Sequence, residues 1–362
     1  MKKRRTMLVA LGMACMLAFS ACGGAPQKEK EPVKQEETAK AWMFTDSAGR
    51  EVEIPANVEK IAPSGPLAQM FLLSVAPEKL CGLAVDISED AAEVFGEDCA
   101  KLPVFGALYG VENLNKEALA AAEPQLIIDI GDDKVTNKED LDGLQEQLGI
   151  PTIFVKASLD TTAEAFKTLG KILGEEEQGN KLSAYCEEKL KMIKDGMAEI
   201  PEEERVNFLY AQGDNGLYVV SKDSFHAEVL DMLGNNVAVL DTPTKKGFGD
   251  EISGEKLLLW DPDVVILGPG SIYDTVKDDE LWSQLSAIQN DRYYEVPNNP
   301  YNWVGMPPSV NRFMGMQWVA NIFYPEVFDY DMYEATKEYY DLFYHYDLDK
   351  ENYEELVKNA VK

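Results

Sequence analysis

The chain of 362 residues offers little for catalysis: two histidines, five cysteines, and serines with no partner in sight. His226 and His345 are too few for a histidine-rich zinc or manganese centre and leave a serine–histidine–acid triad short of candidates. No G-x-S-x-G and no H-E-x-x-H occurs, and Ser64 stands in Pro63-Ser64-Gly65-Pro66 rather than in a nucleophile elbow. Cys81, Cys99 and Cys186 lack metal-ligand spacing; Cys81 lies in an apolar run, and a Cys81–Cys99 disulfide stays open. The expectation is a binding protein, not an enzyme, with no metal site and no cofactor of its own.

The residues suited to binding are glycines beside aromatic rings on loops. They are Ser64, Gly65 and Pro66, then Tyr109 in Gly106–Gly110, Tyr218, Phe248, Tyr273, and the run Tyr301, Asn302, Trp303. Glycine lets backbone approach a ligand, and Tyr or Trp offers a flat face with a polar tip. Such walls suit a large flat ligand, with Trp303 the leading candidate because it lies between Pro300 and a helix opened by Pro307-Pro308-Ser309. Lys245-Lys246 would meet an anionic ligand or simply be solvated, and His226 is expected to pack or cap a helix beginning there.

Short apolar runs separated by helical patterns must position these loops. Strands are expected from Ile61, at Leu80–Val85, Leu126–Ile130 and Thr152–Val155, and again near Val206–Tyr210, Leu217–Val220, Val264–Leu267 and Tyr293–Val296. Between the two sets, Thr161 with Glu164 reads as a capping box for Thr162–Leu173. Leu182, Cys186, Leu190, Ile193 and Met197 then mark a helix over 176–198. The fold class is α/β: two Rossmann-like lobes joined by one long helix. Ligands of open α/β sheets sit beyond the carboxyl ends of the strands, the edge on which these loops fall.

Charge and the first forty residues set the surroundings. Asp plus Glu number 64 against 34 Lys plus Arg, a net −30, which disfavours nucleic acid and anionic membrane surfaces as partners of the folded part. Lys2 to Arg5 followed by the apolar run 7–21 read as a secretory signal, too short for a membrane span. The run ends in Phe19-Ser20-Ala21-Cys22, which resembles a bacterial lipobox: cleavage before Cys22 leaves a thiol to carry lipid. Residues 22–41 then form a lipid-anchored disordered tether. The expected organisation continues as a first lobe over 42–159, linking helices over 160–200, a second lobe over 201–325, and a helical extension over 326–362 packed on the second lobe.

One internal repeat ties the halves. Residues 117–128 (EALAAAEPQLII) and 255–266 (EKLLLWDPDVVI) share Glu, Leu at +2, an acid at +6, Pro at +7 and an apolar strand. Glu117 and Glu255 each stand two residues after a cap candidate, Asn115 and Ser253. A first-turn acid is favourable on its own, but identical placement in both halves asks for more.

Taken together, the lipobox, the tether, DSAGREVEIP, the strand into PSGP, the paired E-x-L…P motifs and PYNWVGMPPSVNRFMGMQWVANIFYP resemble the ABC-transporter substrate-binding proteins for iron-siderophores, haem and cobalamin. The resemblance implies a ligand cleft between the lobes, holding a metal chelate or corrinoid, and limited closure about a single rigid helix. It also implies that Glu117 and Glu255 dock on an ABC permease, and that the protein is a monomer held to the extracytoplasmic face of the membrane by its lipid. A surface-anchored hydrolase on a similar scaffold is the other reading.

Overall fold

A computed structural model describes residues 40–244 and 248–362. The chain opens with a hairpin of Trp42–Thr45 and Glu51–Ile54. Its turn is held by Asp46, whose carboxylate accepts from the backbone of Ala48 and Arg50, each at 2.9 Å. The buried Arg50 guanidinium then pairs with Asp142 at 2.7 Å and donates to the Thr152 carbonyl at 2.8 Å. DSAGR is thus a clasp between the hairpin and the first sheet.

That sheet is parallel, with Leu126–Gly131 between Ile61–Pro63 and Thr152–Lys156. Leu126–Gly131 is buried throughout, as expected for a strand covered on both faces. The strand expected at Leu80–Val85 does not form. Leu80 makes one bridge to Ile61 and Leu83 one to Val104, with Gly82 between them. A Cβ on Gly82 would lie 2.2 Å from the Phe105 ring, so the segment is bent by close packing instead of running on as a ladder.

The second sheet has the parallel strands Asn207–Gln212, Val264–Leu267 and Tyr293–Glu295, extended by antiparallel Tyr218–Val219 and Asp250–Glu251. Helices Thr162–Leu173 and Glu176–Ala198 connect the two sheets in sequence. The second has 23 residues, about 34 Å at 1.5 Å per residue. The two helices meet at Gly170 and Gly179, where a Cβ on either would strike backbone of the other.

Helix Met332–Tyr344, the first of two in the C-terminal extension (Lys350–Leu356 is the second), reaches beyond the second lobe. The expected packing was on the second lobe alone; Tyr344 does lie 6.4 Å from Tyr301, but it is also 5.5 Å from Phe95, and Phe343 lies 5.8 Å from Phe166 and 5.3 Å from Tyr185. Gln178 donates to the carbonyls of both Ser74 and Leu342. Its aromatic stripe therefore fills the seam where first lobe, linking helices and second lobe meet. One apolar cluster runs from Ile61 through Leu182 to Trp318, and the described residues form a single compact unit.

Candidate functional site

The first-lobe wall grows from the carboxyl ends of the strands. After Pro63 the chain turns at Ser64, Gly65 extends, and Pro66 takes the first position of helix Pro66–Val75. The buried Ser64 hydroxyl donates to Asp129, and the Ser64 carbonyl accepts from Leu108 at 2.8 Å. Asp129 is only 3% exposed, and burial pushes its carboxyl pKa up, opposed by Lys134 and by the Ser64 hydrogen bond. Lys134 Nζ sits 3.9 Å from Asp129 Oδ2 and 4.0 Å above the Tyr109 ring. Burial and the nearby carboxylates of Asp129 and Asp140 hold the Tyr109 phenol protonated, well above its usual pKa. The Tyr109 loop turns at Gly106, φ +82°, where a Cβ would lie 2.4 Å from the Asn113 carbonyl oxygen. Ser64, Gly65, Pro66 and Tyr109 are thus brought to one edge.

The second-lobe candidates are divided. Tyr218 and Phe248 pair at 5.1 Å, with Phe248 about half exposed. Tyr273 packs against Tyr293 with ring centroids 5.2 Å apart and the rings tilted by 50°, with the Lys362 ammonium over both. Tyr301 turns into the seam, its hydroxyl accepting from Gln69 at 3.3 Å and its ring against Phe95. Asn302 and Trp303 are corrections. Asn302 is buried and holds its own loop, accepting from Val304 and Gly305 at 3.0 and 3.1 Å. Trp303 has no exposed surface and lies edge-on to Trp318 at 6.3 Å, so it is core and not cleft wall. The cause is local: Asn311 donates to the carbonyls of Asn302 and Pro307 and folds the segment inward.

The same segment carries Arg312 into the interior behind Glu228 and Phe225, and the spacing of its apolar neighbours concealed it. Arg312 is 2% exposed, ion-paired with Glu228, bonded through Nε to the Ser309 carbonyl, and 5.3 Å over the Phe225 ring. Ser309 in turn reaches across to the first lobe, donating to the Leu67 carbonyl at 3.3 Å. Burial pushes the Glu228 pKa up, and Asp132 of the first lobe and Asp160 at the start of the linking helices push it further, against Arg312. The Ser309–Leu67 hydrogen bond joins this segment to the first lobe directly. A signal was present: Arg312 is the sole charge between Val296 and Pro325. His226 packs, its Nδ1 3.0 Å from the Gly305 carbonyl oxygen.

Glu117 and Glu255 occupy matching positions. Asn115 caps helix Lys116–Ala121 and Ser253 caps Gly254–Trp260, each side chain accepting from the amide three residues on. Both glutamates are exposed in the first turn, and the leucines two residues later are buried. Cys81, Cys99 and Cys186 are free thiols, which closes the disulfide question. No cluster of three or more His, Cys, Asp or Glu suited to a metal occurs among the described residues. Cys22, Lys245 and Lys246 lie outside them.

The geometry has counterparts. Residues 107–300 match the family model described as periplasmic binding protein. The ABC transporter substrate-binding lipoprotein YvrC of Bacillus subtilis is 20% identical over 331 residues, spanning 91% of this chain and 99% of its own. The Fe(3+)-citrate-binding protein YfmC of the same organism is 29% identical over 197 residues, 52% of this chain and 58% of its own. Among solved structures, an ABC transporter solute binding protein from Sulfurospirillum deleyianum superposes with a TM-score of 0.80 at 30% identity, covering 87% of this chain and 99% of that one. With the family model spanning more than half its length, the chain belongs to the periplasmic binding protein family.

Proposed function

We propose that the protein is the extracytoplasmic substrate-binding lipoprotein of an ABC importer, capturing a metal chelate or corrinoid and handing it to a membrane permease. The observation that carries this reading is the pair of facing walls: Ser64–Asp129–Lys134–Tyr109 from one lobe, Arg312–Glu228–Phe225 from the other. Polar groups converging from two lobes suit a small ligand held between them. Family membership and the names of the relatives support the same role. Lipidation at Cys22 would hold the protein at the membrane through the tether, as a monomer.

Glu117 and Glu255 are the permease contacts in this reading. Each carboxylate is set by a capped helix start and exposed, ready for bidentate arginine bonds. Two contacts, one per lobe, act as a bivalent clamp that registers the cleft over the translocation path. The double variant Glu117→Arg/Glu255→Arg is expected to fold and bind ligand as wild type does while cellular uptake is abolished. Normal uptake by the folded double variant would remove the docking role.

A further inference from the structure

The two copies of the internal repeat agree where they face the core and differ where they face solvent. Leu119 and Leu257 have no exposed surface, while Glu117 and Glu255 are exposed at the second position of their helices. The lysine beside each glutamate is turned elsewhere. Lys116 donates to Gln147 at 2.6 Å, and Lys256 Nζ lies 5.1 Å from the centre of the Trp260 ring.

On the outer face Ala120, Ala121 and Ala122 of the first copy correspond to Leu258, Leu259 and Trp260 of the second. Ala121 is exposed, and its counterpart Leu259 is 82% exposed. Leu259 stands four residues after Glu255, so the two share one face of helix Gly254–Trp260. Helical side chains lean toward the N-terminus, which carries Leu259 toward the carboxylate. Ala121 holds the same place relative to Glu117 and offers only a methyl group. A single exposed leucine is ordinary on a soluble surface. This one is set apart by its place: it shares a face with a carboxylate whose twin lies on a smooth alanine face, and the flanking Leu258 and Trp260 are themselves partly exposed.

Resting on the docking role of Glu117 and Glu255, we propose that the two docking faces are not interchangeable. The second lobe adds an apolar contact through Leu259 to its glutamate, so the protein seats on its permease in one orientation only. The occupant of this face is the permease half that presents apolar side chains beside its arginine. The Glu255 carboxylate accepts from that arginine, and Leu259 excludes water next to the pair. The Ala121 face allows close approach and adds little apolar area. An apolar contact persists in salt, where an exposed ion pair weakens, so the two contributions separate by ionic strength.

Binding of the full chain, unlipidated through Cys22→Ser, to ABC importer complexes in lipid nanodiscs tests this. The partner is the complex that binds the chain and loses it in Glu117→Arg/Glu255→Arg. Toward that complex Leu259→Ala is expected to bind about tenfold more weakly, at low and at high salt alike. Ala121→Leu, which puts bulk on the smooth face, is expected to weaken binding about tenfold as well. The exchange variant Ala121→Leu/Leu259→Ala is not expected to regain affinity, and all three variants should unfold thermally near wild type, because both positions are exposed. Wild-type affinity in the exchange variant would show the faces to be interchangeable and overturn the single orientation. Undiminished binding by Leu259→Ala would remove the apolar contact and leave the glutamate docking standing. A panel in which no complex distinguishes the glutamate variant from wild type would count against the docking role itself.

Discussion

At the scale of single residues, Trp303 and Arg312 are both buried from one segment, the first against Trp318 and the second against Glu228. Trp303→Ala would open a large cavity against Trp318. The expected cost is about 3–5 kcal/mol of stability, read by urea denaturation, with ligand affinity of the folded fraction unchanged. Lost affinity at undiminished stability would return Trp303 to the ligand. A sequence shows that tryptophan is large and amphipathic; whether its face meets solvent depends on Asn302 and Asn311 drawing the loop inward, and these bonds have no periodicity to reveal them. Arg312 was hidden by the opposite effect. Its neighbours Phe313, Met314 and Trp318 are buried at helical spacing, and that apolar period gives no sign of the charge among them. The strand-to-helix turn at Ser64, Gly65 and Pro66 was easier, because such a turn calls for glycine and proline.

At the scale of elements, the long parallel strands and the 23-residue helix were legible from apolar runs and helical spacing, since burial on both faces leaves a continuous signal. The repeat was legible too, down to both caps. The capping box at Thr161 was not realised: its hydroxyl accepts from the Ser158 amide at 2.9 Å instead, closing the turn before the helix. The partner of the C-terminal helix was also out of reach, because an amphipathic stripe says that a face is buried and not against what. Tyr339, Phe343 and Tyr344 fill the seam between the lobes, so Tyr344→Ala should do more than create a cavity. The expected outcome is faster hydrogen exchange in both Phe95 and Tyr301 segments, with about 3–5 kcal/mol lost. Acceleration confined to residues 332–362 would mean that the helix merely covers the surface.

At the scale of the whole molecule, two α/β units share one core yet keep a polar, loop-lined interface at their strand ends. Two packed helices connect them in sequence and an aromatic seam supports the join. The net charge of −30 adds solubility and a preference among ligands without dictating the fold. The central claim is that a solute is held between the two lobes and released unchanged. Hydrogen–deuterium exchange of the full chain, with and without a chelate that titrates one to one, tests it most directly. The account predicts simultaneous protection of residues 64–66, 107–110 and 131–134 on one wall and 224–228 and 309–312 on the other, with the chelate recovered intact. Protection confined to one lobe, or recovery of the added compound in chemically altered form, would contradict it.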